Sequence, residues 1–282
     1  MKRYLLTILV FVTSCAPTSK NFKSTDFIWF NSTLNDELFE KSSMHIPVRF
    51  ENDSTTYYFQ FDTGANKSFL YTGPKSNPEI IDRIKTNTQL STSIGDVVLL
   101  SIKSNNTYVK DGKTFIGTIG SDILQNQILE IDLKKQKLTV LSEYDLQEYR
   151  IYKMKLSRGR PVITITIDKK DYSFLYDTGS SLFDLWTTQK LWLEWKSESF
   201  VADEFPISSW GKINKSYRSL LKKTNTNNDL MNQMKYIWYN ANDNFEKTFE
   251  DAGVSGIIGN RPFLDKVLLL DFKSKRIGIK KE

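Results

Sequence analysis

Tyr57-Tyr58-Phe59-Gln60-Phe61-Asp62-Thr63-Gly64-Ala65 returns 115 positions later (177 − 62) as Tyr172-Ser173-Phe174-Leu175-Tyr176-Asp177-Thr178-Gly179-Ser180. Both stretches have the period-two apolar pattern of a half-buried strand, and both run into Asp-Thr-Gly. A second apolar run and a polar turn precede each. In the first copy these are His45-Ile46-Pro47-Val48-Arg49-Phe50 and Glu51 to Ser54; in the second, Pro161 to Ile167 and Asp168-Lys169-Lys170. A hairpin feeding an Asp-Thr-Gly loop is the reading for both. At average residue usage, one such tripeptide arises by accident in a chain of 282 residues with a chance of about 5%, and two with about 0.1%.

A second pair of segments closes each half. Gly117-Thr118-Ile119-Gly120 leads to Leu129-Glu130-Ile131-Asp132-Leu133, a Lys-rich turn and Leu138-Thr139-Val140. Gly256-Ile257-Ile258-Gly259 leads to Leu269-Leu270-Asp271-Phe272, another Lys-rich turn and Ile277-Gly278-Ile279. These match at an offset of 139 (259 − 120), so the second half carries 24 additional residues (139 − 115) after its Asp-Thr-Gly. The chain therefore reads as a duplicated, mainly β protein, with a first lobe over 44–150, a second over 151–282, and an insertion over about 188–251. The 13% aromatic content agrees with β-structure. Asp132 and Asp271 recur ahead of the Lys-rich turns and read as turn residues. In the insertion, Leu191 to Trp195 and Ser216 to Leu221 are expected to be helical. Its Trp192, Trp195, Trp210, Trp238 and Tyr239 form either a satellite core or a wall beside a cleft.

The N-terminus has a different character. Lys2 and Arg3 precede an apolar run, Tyr4 to Val12, followed by Thr13-Ser14-Cys15. That is a secretory signal over 1–14, too short to span a bilayer. Cys15 is the only cysteine, which excludes an intramolecular disulfide. Its setting resembles the lipobox of bacterial lipoproteins, which implies acylation of Cys15, a membrane anchor and a bacterial cell-envelope location. Residues 15–43 are then a lipidated N-terminal segment, with polar Ala16 to Thr25 as a tether. The net charge of +6 is spread over separate turns rather than one stripe, so nucleic acid is not an indicated partner.

With both loops and both closing segments in view, the chain resembles the aspartic peptidases, most closely a fused tandem of retropepsin-like halves. The resemblance runs from about Met44 to Ile279, with Ile119-Gly120 and Ile258-Gly259 as the later hydrophobic-Gly segments. It implies a bilobed pepsin-like fold, with two pseudo-twofold-related β-barrel-like lobes around a cleft, in one monomeric chain. It implies an aspartic endopeptidase acting on a peptide or protein substrate, with Asp62 and Asp177 as the catalytic pair and no metal or organic cofactor. Two carboxyls about 3 Å apart share one proton, so one takes a proton from water while the other serves the carbonyl oxygen. By the same resemblance, Gly64 and Gly179 permit the sharp loops, and Thr63 and Thr178 hydrogen-bond across to the opposite loop. Ser180 hydrogen-bonds Asp177, a contact that Ala65 cannot repeat for Asp62. The missing donor predicts activity extending toward mildly acidic or neutral pH. A flap is expected over Leu90 to Leu99, turning near Ser93-Ile94-Gly95-Asp96; the alternative is a structural hairpin.

Other chemistries lack their residues. His45 is the only histidine, which argues against a Ser-His-Asp triad and a zinc site, and a strand-opening His45 reads as structural. A non-catalytic peptide- or protein-binding envelope lipoprotein with the same fold is the alternative function.

Overall fold

The computed structural model describes residues 23–50, 53–73, 76–86, 88–104, 107–209, 212–222, 229–241 and 243–282. Cys15 and the expected signal segment lie outside the described residues, as does Trp210. The first half begins with strands β1 (Lys23–Asp26), β2 (Ile28–Leu34), β3 (Glu37–Val48), β4 (Tyr57–Asp62) and β5 (Ser68–Thr72). Helix α1 (Pro78–Thr86) follows, then β6 (Gln89–Thr92), β7 (Gly95–Lys103), β8 (Tyr108–Lys110), β9 (Lys113–Gly120), β10 (Ile128–Asp132) and β11 (Lys137–Leu141). The second half opens with β12 (Tyr149–Ser157), β13 (Arg160–Ile167), β14 (Lys170–Tyr176), β15 (Leu185–Thr187) and α2 (Gln189–Trp195). It continues with β16 (Asp203–Ser209), β17 (Lys212–Leu220), α3 (Asp229–Asn232), β18 (Tyr236–Asn240) and α4 (Asp243–Ala252). The last strands are β19 (Gly256–Ile258), β20 (Val267–Asp271) and β21 (Arg276–Lys280).

The protein is mainly β, in two large sheets. Local chemistry explains the hairpins. Tyr57, Phe59 and Phe61 alternate inward along β4, and Ile163, Ile165 and Ile167 do so along β13. Asp168 and Lys169 both take positive φ, as a two-residue turn matched to strand twist requires. In the first half, order and sense run β3-β4-β9-β5-β7-β6, with β4–β9 and β5–β7 parallel. The second half repeats this as β13-β14-β19-β15-β18-β17, with β14–β19 and β15–β18 parallel. Duplication is thus written in the topology as well as in the motifs. Asp132 and Asp271 each accept a backbone N–H three residues on, at 2.8 Å in both turns.

Several expectations are corrected. Neither sheet closes into a barrel among the described residues; one path ends at β1 and β16, the other at β2 and β6. The last hairpins of the two halves pair with each other, β10 against β20, and β21 continues the same sheet into β12. Lys23 to Thr25, the end of the expected tether, lie in β1, which pairs β11. Residues up to 43 then form β2 and most of β3, turning at Asn35-Asp36, again both at positive φ. Ser216 to Leu221 is not helical: β17 is held between β16 and β18, and ladder pairing on both sides overrides local propensity. Leu191 to Trp195 is helical, within α2.

Candidate active site

Asp62 is the last residue of β4, and Asp177 directly follows β14. Each strand is paired in parallel with the glycine-bearing strand of its own half, β9 or β19. That pairing fixes where each carboxyl emerges. The next residue of each loop then ties the two together. The Thr63 hydroxyl donates to the Tyr176 carbonyl (2.8 Å), and the Thr178 hydroxyl donates to the Phe61 carbonyl (2.7 Å). Each hydroxyl also accepts the other threonine's N–H, at 3.1 and 3.0 Å. Both threonines are fully buried, so this four-bond clasp is shielded from competing water.

Gly64 and Gly179 bring the carboxyls together. A Cβ at Gly64 would overlap the carboxyl of Asp177, and one at Gly179 would overlap that of Asp62. Side-chain-free positions let each loop approach the opposite acid. Asp177 accepts the Gly179 N–H (2.8 Å), the Gly64 N–H (3.3 Å) and the Ser180 hydroxyl (2.8 Å). Asp62 accepts the Ala65 N–H at 2.9 Å, and its carboxyl hydrogen-bonds that of Asp177. Burial pushes the Asp62 carboxyl well above the usual carboxylate range; the charge of Asp177 and the bond to it add to the effect. Two carboxyls packed this closely can share one proton, the arrangement that acid/base chemistry requires.

A pocket of about 250 Å³ opens over the pair. Of its 18 lining residues, four come from the first half (Gln60, Asp62, Gly64, Tyr71) and 14 from the second, so the pocket is built mainly on one side. The wall is Phe183, Trp186, Ile207, Phe245 and Phe249. Of the two readings of Trp192, Trp195, Trp210, Trp238 and Tyr239 in the insertion, the core one holds for those the structure describes, and none of them lines the pocket. Trp192, Trp195 and Trp238 are buried core, and Tyr239 packs on Trp192 and Tyr217. Phe245 and Phe249 of α4 face the pocket beside Trp186.

Leu90 to Leu99 forms a hairpin that does not line the pocket. Ile94 at its turn is fully buried, and Gly95 lies against Ile123 and Gln127, so the expected flap is a structural hairpin. The β16–β17 hairpin does reach the pocket, through Ile207. His45 is also structural. It packs edge-on to Phe30 and Phe115, and burial lowers its pKa to about 3.

Sequence reading missed some support residues. The Asn260 side chain accepts the Tyr176 hydroxyl (2.5 Å) and donates to the Ser181 hydroxyl (2.9 Å), bracing the second loop. Ser121, the matching position in the first half, donates its hydroxyl to the Ala65 carbonyl (3.0 Å). The signal was their shared place directly after Ile-Gly. Gln60 donates to the Gly179 carbonyl (3.0 Å), and Arg160 joins the pocket; neither has a motif to announce it. Comparison with protein-family models gives no match, and comparison with curated proteins gives none either.

Proposed function

We propose that the chain is an aspartic-type endopeptidase, with the Asp62/Asp177 pair activating water. The observation that carries this reading is the reciprocal clasp of two Asp-Thr-Gly loops, which holds two carboxyls in hydrogen-bonding contact at a pocket floor. Water between the carboxyls gives its proton to the ionised member of the pair. The proton held by the pair passes toward the substrate carbonyl oxygen as the tetrahedral intermediate forms. Return of a proton to the amine releases the product, with no covalent enzyme intermediate. The repeated strand order supports a bilobed aspartic-peptidase architecture, with the pocket between its loops. The same reading takes Cys15, alone after Val12-Thr13-Ser14, as the lipid-bearing residue that ties the enzyme to a bacterial envelope.

One experiment with four chains tests this. A diverse peptide library is offered from about pH 3 to 8, spanning the range of paired carboxyls, to the full chain and to its Asp62→Asn, Asp177→Asn and Cys15→Ser variants. Cuts made by the wild type are expected to fall about a thousandfold in either Asn variant. The Cys15→Ser variant is expected to keep the cuts but leave the membrane fraction. Absence of dyad-dependent cuts from a folded chain would turn the reading to a peptide-binding module.

A further inference from the structure

Arg160 opens β13 directly after the tight turn Arg158-Gly159, both at positive φ. Across that turn its Nε donates to the Ser157 carbonyl (3.3 Å), and the Ser157 hydroxyl donates to the Ala252 carbonyl at the end of α4 (2.9 Å). The turn is thereby fastened to the helix that supplies Phe245 and Phe249 to the pocket. The β13–β14 register pairs Val162 with Leu175; carried two residues further, it sets Arg160 across from Asp177. In the first half, His45 pairs with Gln60, and the same step sets the uncharged Ser43 across from Asp62. The duplicated halves therefore differ in charge beside their acids.

Arg218 and Arg160 are both withdrawn from solvent, and their treatment differs. Arg218 meets Glu37 through Nη1 (2.6 Å) and Nη2 (2.9 Å), and meets Asp203 as well. Arg160 is half-buried in the pocket lining, yet its Nη1 and Nη2 have no acceptor among the described residues. Burial and neighbouring Arg158 lower its pKa while the two acids raise it; an arginine stays protonated throughout. A permanent cation thus stands in the pocket lining near the two acids, with Nη1 and Nη2 unused by the fold. That fork matches a carboxylate, which it binds through two parallel bonds.

We propose that Arg160 recognises a substrate carboxylate within a residue or two of the scissile bond, so that acidic peptides are the preferred substrates. The inference rests on the peptidase reading and names its substrate class. An extended residue spans about 3.5 Å, which keeps a group held by Arg160 close to a bond cut at Asp177. The carboxylate belongs either to an Asp or Glu side chain or to the C-terminus of a short peptide.

The test uses matched peptides and the full chain. One pair carries Glu or Gln beside the cut; the other ends there in a free carboxylate or an amide. The wild type is expected to favour the carboxylate member of one pair by about tenfold or more in kcat/KM, the size of a charge-assisted bond. Whichever pair shows the preference identifies the source. In Arg160→Gln the ratio should fall to about one, and Arg160→Glu should invert it toward a Lys-bearing peptide, which separates lost recognition from lost folding. Dyad-dependent cutting with no preference in the wild type, or an unchanged ratio in Arg160→Gln, would overturn this inference and leave the peptidase reading standing. No cutting of any peptide overturns both.

Discussion

Asp62 and Asp177 are matched in backbone and unmatched in side-chain support. Asp177 receives the Ser180 hydroxyl, whereas the same place beside Asp62 is taken by Ala65, which offers only its N–H. A donor to the ionised form stabilises it, so the missing hydroxyl adds to the upward push that burial and Asp177 give Asp62. The direction for activity follows. On the peptidase reading the shared proton is needed, and it is lost as pH rises through the raised Asp62 pKa. Restoring the donor with Ala65→Ser favours ionised Asp62 and lowers that pKa. The alkaline limb of the kcat/KM profile should therefore move to lower pH by about one unit, the worth of one charge-assisted bond. A limb that stays in place, with folding intact, would show that the hydroxyl does not reach Asp62. An activity optimum in the wild type below about pH 3.5 would contradict the raised pKa itself.

Among the elements, the β2–β3 hairpin joins the two ends of the fold. Leu34 and Phe39 leave the first half to pack with Phe205 and Trp238 of the second. The seam is locked by Arg218 on β17, which is 8% exposed, binds Glu37 and Asp203, and lies over Phe205 and Tyr236 at 4.8 Å each. Arg218→Met should cost about 1–3 kcal/mol, because packing and two charge-assisted contacts go together. Glu37→Gln should cost less than about 1 kcal/mol, since Glu37 is 44% exposed and Asp203 remains paired. Denaturant midpoints measure both, and protease nicking of β16–β17 should rise in Arg218→Met alone. The elements also show what a sequence reveals. The two Asp-Thr-Gly hairpins and the β10–β11 and β20–β21 hairpins were legible, because strand period, turn and loop chemistry lie together in one short segment. The β2–β3 hairpin was not, since a register shift between Phe30 and Ser32 breaks its alternation. Ser216 to Leu221 was misread because its strand character comes from neighbours on both sides. The pocket wall and Arg160 were hidden for a related reason: only the tertiary fold brings α4, the β12–β13 turn and Asp177 together.

At the scale of the whole molecule, duplication has produced two halves that share a sheet and a core. Five residue pairs join β10 to β20, from Ile128↔Asp271 to Asp132↔Val267. The main core cluster draws on both halves, from Phe59 and Ile119 to Phe174 and Ile258. The threonine clasp adds a second link between the halves at the pocket floor. Chains above about 150 residues often unfold in steps; here neither half can open without exposing a central strand edge and part of a shared core. We therefore expect a single denaturant transition. The tryptophans make the test selective: of six, only Trp29 lies in the first half, so fluorescence reports mainly on the second, while far-UV circular dichroism reports on both. Coincident midpoints and slopes by the two probes would establish the shared sheet as the unit of stability. A fluorescence transition separated from the dichroism transition would mean that the halves hold their own cores, and that the β10–β20 seam joins them without coupling them.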